Sequence, residues 1–277
     1  MNPHDYCQAK AAQSGSSFYY SFLFLPPDQR RAITALYAFC REVDDVVDEC
    51  SDRDLARVKL AWWRGEIASA YDGRPNHPVA RALAEVKTRF NLSQERLQEI
   101  VDGMEMDLDH NGYPDFEALR LYCHRVASVV GLLSVEIFGY ADPRTLQYAA
   151  DLGLAFQLTN IIRDVGEDAR RNRIYLPIDE MQQHGVSASE IRFAQETDNF
   201  RRLMEFQIDR ALGYYHQALA ALPAIDRRSQ RAGLVMAAIY RTLLDEIRAD
   251  GCRVLTRRTS LTPIRKLWIA WKTWVKS

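Results

Sequence analysis

Apolar residues return every three or four positions along almost the whole chain, and two-residue alternation is scarce. This pattern predicts helices and no sheet. Pro26-Pro27 opens a long helix through Asp48, since proline is tolerated in a first turn. Ser51-Asp52 is the next cap, and Leu55, Val58, Trp62 and Ile67 behind it predict the buried face of the following helix. A turn from Gly73 to Pro78 ends that segment, and Ser93 caps a helix towards Asp109. The sequon Asn91-Leu92-Ser93 is therefore read as a cap rather than a glycosylation site. After a break from His110 to Pro114, helices are expected over Phe116 to Tyr140 and Pro143 to Val165, followed by a charged loop from Gly166 to Pro177. Ser187 and Glu190 form a capping box for a long helix reaching about Leu222. Another helix spans roughly Arg228 to Ala249, and a short basic amphipathic one closes the chain at about 262–276. No repeat or linker interrupts this order, so residues 1–277 are expected to form one all-α domain, a helical bundle around a central apolar cavity.

Composition narrows the classes of function. With 277 residues and 47% hydrophobic content the chain can bury a substantial core, and its net charge of −1 gives no reason to expect a nucleic-acid partner. Five cysteines without a CxxC pair suit reduced thiols and a cytoplasmic location. The stretch from Met1 to Gln13 is polar, unlike a signal peptide, and no run is expected to reach the ~20 apolar residues that span a bilayer.

Two clusters of oxygen-bearing side chains carry the chemistry: Asp44-Asp45-x-x-Asp48 and Asn160-x-x-Arg163-Asp164-x-x-x-Asp168. Each repeats in four-residue steps within an apolar, helix-patterned stretch, so each forms a row on one helical face with successive members about 6 Å apart. Carboxylates so placed repel one another and resist desolvation, which points to cations between them. Mg²⁺ suits oxygen ligands shared with substrate phosphates, and Arg163 is available to the phosphate oxygens. The plainer alternative is surface carboxylates paired with arginines, which fits one such row better than two.

In the last helix Ile264, Leu267, Trp268, Trp271 and Val275 share one side, while Arg265, Lys266, Lys272 and Lys276 lie mostly elsewhere. Tryptophan beside lysine suits the headgroup layer of a membrane, and the same face also suits docking on the core; both readings stand.

Taken together, Leu25 to Arg31, Tyr37 to Asp45, Tyr122-Cys123-x-x-Val126-Ala127, Gln157 to Asp168 and Arg173 to Pro177 resemble the squalene and phytoene synthases. Within that family, Gly15 to Tyr20 and Asp44 to Glu49 are most similar to the bacterial branch that makes presqualene diphosphate for hopanoids. The resemblance implies an isoprenoid-synthase fold and head-to-head joining of two farnesyl diphosphates. It implies two or three Mg²⁺ ions held with diphosphate by Asp44, Asp48, Asn160, Asp164 and Asp168. Arg41, Arg163 and Arg257 would face diphosphate, and Ser17, Phe18, Tyr37, Tyr122, Gln157, Tyr175 and Tyr240 would line the substrate sites. Tyr37, Arg41, Tyr122, Arg163 and Tyr240 are the expected catalytic group, with Asn160 also touching substrate. Ser128 stands where many relatives have glycine, and Gly15-Ser16 replaces a more usual Ser-Lys.

NADPH is not expected in the first half-reaction. Beyond farnesyl diphosphate, the partners implied are downstream hopanoid-pathway enzymes and, on one reading of the last helix, the inner face of the membrane. Dehydrosqualene, squalene and phytoene synthases share these motifs and remain alternatives. An inactive relative serving as an assembly factor is disfavoured by the intact acidic rows.

Overall fold

The computed structural model describes residues 2–13, 21–22, 24–50, 52–109 and 112–276; Ser17 and Phe18 lie outside them. Among the described residues there are helices and no strand, as the periodicity predicts. The α-helices are α1 (Pro3–Gln13), α2 (Pro27–Glu49), α3 (Arg53–Tyr71), α4 (Pro78–Val86), α5 (Gln94–Asp109), α6 (Phe116–Cys123) and α7 (Val129–Phe138). They continue with α8 (Arg144–Arg170), α9 (Ile178–Gln183), α10 (Ala188–Arg192), α11 (Asp198–Ala221), α12 (Arg231–Ala249) and α13 (Pro263–Lys276). A π-helical turn, His124–Ser128, joins α6 to α7, and a 3₁₀ turn, Ala224–Asp226, precedes α12.

Caps expected from the sequence start several of these helices. Pro27 opens α2, Asp52 accepts from the amides of Asp54 and Leu55, Ser93 accepts from Arg96 at 3.2 Å, and Ser187 with Glu190 closes a full capping box. Four expectations fail. On α3 the buried face is Ala56, Leu60, Trp63, Ile67 and Ala70, while Leu55, Val58 and Trp62 face solvent. Two overlapping stripes fit that sequence, and the one that is buried turns Trp63 onto Phe39 of α2, ring centroids 5.7 Å apart. The helix capped by Ser187 stops at Arg192, because Ala194 turns to φ 53° and Thr197 caps a new helix, α11. The stretch Phe116–Phe138 is long and apolar enough to cross a bilayer, yet its Leu119, Cys123, Val129, Leu133 and Ile137 are buried in the protein core.

The fourth miss bears on function. The charged segment after Val165 remains helical through Arg170, which keeps Asp168 in register with Asp164. Gly166 does not break α8. A Cβ there would lie 2.6 Å from the Val254 carbonyl oxygen, so glycine lets residues 254 and 255 cross directly over the helix. Beyond Arg170, Arg173 N–H donates to the Asp168 carbonyl at 2.8 Å, and Asn172 takes a left-handed φ of 61°, which asparagine tolerates.

Two apolar clusters build the interior. One gathers around α8, α11 and α12, the other around α2 to α5 and α7, and Val126 of the π-turn packs on both. Close approach depends on missing side chains: a Cβ on Gly103 would meet Val126 at 2.7 Å, and one on Gly153 would meet the Ser128 Cα at 2.7 Å. The hydroxyl of Ser128 donates to the Ala150 carbonyl on α8 at 2.7 Å.

Candidate active site

The row on α2 and the row on α8 face the same space. Arg173, just beyond α8, reaches back to α2 and donates to Asp48 Oδ1 at 2.6 Å and to the Val47 carbonyl at 2.9 Å; Arg171 donates to Asp48 Oδ2 at 2.9 Å. Arg41 bridges Asp44 and Asp45, each at 2.5 Å. On α8, Arg163 Nε donates to Asp164 Oδ1 at 2.7 Å. Among the described residues, no basic side chain closes on the Asp168 carboxylate to ion-pair distance. Asn160 donates to Gln157 Oε1 at 3.3 Å, and its own Oδ1 is buried without a hydrogen-bond partner among the described residues.

Mutual repulsion shows in the carboxyl groups. Partial burial, with the charges of Asp48 and Asp45, pushes Asp44 up to about 6. Burial pushes Asp168 up to about 8, and Asp164, Asp107 and Asp48 add to it, so the charge of the α2 row reaches the α8 row. Asp164 behaves oppositely: burial would raise it, but Arg163 and Arg258 hold it below the usual carboxylate range. Burial disfavours the charge on Arg163, yet Asp164 and Tyr240 keep its guanidinium firmly protonated.

Asp107 is a site residue that the sequence reading missed. It accepts hydrogen bonds from Tyr122 at 2.9 Å and Tyr175 at 3.1 Å. Burial and the charge of Asp44 push it up to about 7 against those two bonds. The rings of Tyr122 and Tyr175 stack at 5.4 Å, and Tyr113 lies 5.5 Å from Tyr122. The Tyr175 segment is held there by backbone bonds from Ile178 to the Tyr113 carbonyl and from Asp179 to that of Pro114. A signal was available: Asp107 is in helical phase with the buried Met104 and Leu108.

Arg257, expected at the diphosphate, is placed elsewhere in this structure. It lies outside the acidic rows on Asp250, at 3.3 Å, and its neighbour Arg258 meets Asp164 at 2.8 Å and Glu167 at 3.2 Å. The crossing of residues 254 and 255 over Gly166 fixes the phase of this segment, which spacing alone does not show.

One cavity of about 420 Å³ runs from Asp44 and Asn160, one member of each row, into an apolar interior, while Asp48, Asp164 and Asp168 lie outside its lining. Its charged end includes Arg41, Asp44, Asn160, Arg163, Arg258 and Lys266, and its apolar walls include Phe22, Leu36, Val130, Phe138, Leu152 and Met236. Tyr37, Tyr122, Gln157 and Tyr240 also line it, and Phe156 meets Tyr240 edge-on at 5.1 Å. Tyr175 contacts this wall through Tyr122.

The sequence model of squalene/phytoene synthase matches residues 11–265. The chain belongs to the squalene/phytoene synthase family. Members of this family are prenyltransferases of isoprenoid biosynthesis. The chain is 37% identical to phytoene synthase 2 of Solanum lycopersicum over 95% of its length and 87% of that protein. Phytoene synthase of Narcissus pseudonarcissus is 36% identical over 95% of this chain, which spans only 64% of the narcissus protein. Among solved structures, a dehydrosqualene synthase in complex with ligand superposes with a TM-score of 0.90 at 29% identity, covering 99% of this chain and 96% of that one. Squalene synthase HpnC from Alicyclobacillus acidocaldarius gives 0.81 at 28% identity, covering 90% and 94%. The all-α family fold expected from the motifs is therefore borne out.

Proposed function

We propose that this protein joins two farnesyl diphosphates head to head, giving presqualene diphosphate and free diphosphate for hopanoid or squalene synthesis. The observation that carries the reading is that one cavity is lined by Arg41 and Asp44 of α2, by Asn160 and Arg163 of α8, and by a large apolar wall. A diphosphate and its prenyl chain need both surfaces in one place.

Mg²⁺ fits the residues present. All donors are oxygens, Asp48 of the α2 row helps raise Asp168 of the α8 row, and Asn160 offers a buried acceptor lacking a partner among the described residues, in which no three acidic, histidine or cysteine side chains already converge as a ligand cluster. Asp44, Asp48, Asn160, Asp164 and Asp168 would hold the ions, which when bound supply neutralisation of the departing diphosphate.

The chain's own groups account for the rest. Arg41, Arg163 and Arg258 meet negative charge at the same end, stabilising the diphosphate as the allylic C–O bond breaks and its electron pair leaves with oxygen. The apolar wall excludes water from the allylic cation, and the faces of Phe156 and Tyr240 stabilise it by about 1 to 2 kcal/mol each when desolvated. The 2,3 double bond of the second chain then supplies the electrons of the new C–C bond, and loss of a proton closes the cyclopropane. Tyr122 lines the cavity and donates to Asp107, itself pushed up to about 7, which supports this pair as the proton acceptor alongside released diphosphate. NADPH has no role in this half-reaction.

Incubation with Mg²⁺ and either labelled farnesyl or geranylgeranyl diphosphate tests the reading. Presqualene diphosphate should form from farnesyl diphosphate without NADPH. Phytoene from the C20 substrate, with nothing from the C15 one, would replace this reading with phytoene synthesis, the alternative that the curated plant relatives favour.

A further inference from the structure

Helix α13 has two apolar faces, and the fold uses one. Ile269, Ala270 and Trp274 pack on the core, with Trp274 5.1 Å from Phe24 by ring centroids and 5.4 Å from the Arg231 guanidinium. On the other side Ile264, Leu267, Trp268, Trp271 and Val275 stay in solvent, with Ile264 81%, Val275 65% and Trp268 58% exposed. At 3.6 residues per turn these five occupy an arc of about 100°, flanked by Arg265, Lys272 and Lys276. A contiguous stripe of this kind marks an interaction surface rather than scattered exposure.

Charge selects the occupant. From Cys252 to Lys276 the chain has seven basic residues and no acidic one, although the whole chain carries a net −1. Pairing α13 with a second copy of itself would bring two basic segments together, whereas an anionic bilayer complements them. Tryptophans with flanking lysines match the headgroup boundary. The exposed stripe of α3, Leu55, Val58 and Trp62, lacks this bias, because Asp54 and Glu66 stand on the same helix, whereas α13 has no acidic residue of its own even though Arg265 reaches Glu246 of α12. Arg258, Leu261 and Lys266, at the approach to α13 and in its first turn, also form part of the cavity wall.

We infer that α13 seats this protein on an anionic membrane surface through Ile264, Leu267, Trp268, Trp271 and Val275, holding the cavity wall formed by residues 258–266 beside the lipid. Apolar chains then pass between cavity and bilayer with little exposure to water. Membrane binding itself stands whatever the cavity holds, so it is tested without substrate.

The full chain, a Trp268→Glu/Trp271→Glu variant and a Trp62→Glu control are floated with phosphatidylcholine vesicles, with or without phosphatidylglycerol, while Tm and molar mass in solution are followed. The full chain and the control should float with the anionic vesicles, and the double variant's bound fraction should fall about tenfold with its Tm unchanged. Equal flotation of parent and double variant, no flotation of the parent, or loss of flotation on Trp62→Glu alone would overturn the inference. So would a double variant whose principal change is loss of self-association.

Discussion

Replacing Asp168 by asparagine should stabilise the metal-free protein at and above neutral pH while damaging turnover. The Asp168 carboxyl is pushed from the ordinary 3.8 to about 8 by burial and then by Asp164, Asp107 and Asp48. A group raised in the folded state contributes stability that is fully present below the unfolded value and lost as pH climbs through the folded one; here that window runs from pH 3.8 to about 8. At about 1.4 kcal/mol for each tenfold change the ceiling is about 6 kcal/mol. Reorientation of Arg173 and entry of water reduce this to about 2 kcal/mol, or roughly 5 °C in Tm for a chain of this size. The assay is thermal unfolding followed by circular dichroism, in EDTA, from pH 4.5 to 8.5. The variant should melt like the parent at the acid end and progressively above it towards pH 8. Mg²⁺ with diphosphate should raise the parent's Tm more than the variant's. A variant that melts at or below the parent at pH 8, or a difference that does not fade on acidification, would refute the account of Asp168 as a carboxylate strained by its neighbours.

Three further outcomes follow from the site. Asp44→Ala and Asp164→Ala should each lose product formation by at least about 10³-fold with the fold retained; ordinary turnover with Mg²⁺ would remove the metal assignment. Arg258→Ala should lower kcat/KM by about 10²-fold while Arg257→Ala changes it only a few-fold, and the reverse order would restore Arg257 to the diphosphate. Gly166→Ala should cost about 2 kcal/mol or more, because its Cβ meets the Val254 backbone; urea unfolding measures it, and a neutral result would deny that the crossing is tight.

Much of this molecule is determined locally. Caps such as Asp52, Ser93 and Ser187 act on amides two or three residues away, so sequence alone reveals the starts of α3, α5 and α10. The four-residue steps of Asp44–Asp48 and Asn160–Asp164–Asp168 likewise become rows as soon as a helix forms. What the sequence leaves undecided depends on partners distant along the chain. Trp62 and Trp63 are neighbours, and only packing against other helices, Phe39 of α2 among them, settles which is buried. Asp107 becomes a site residue because Tyr122 and Tyr175 are folded over it, and Arg258 displaces Arg257 because residues 254 and 255 cross α8 at Gly166. Helical period and capping are set by short-range bonds, whereas burial, ion-pair choice and pKa arise from contacts between elements, which no local pattern encodes.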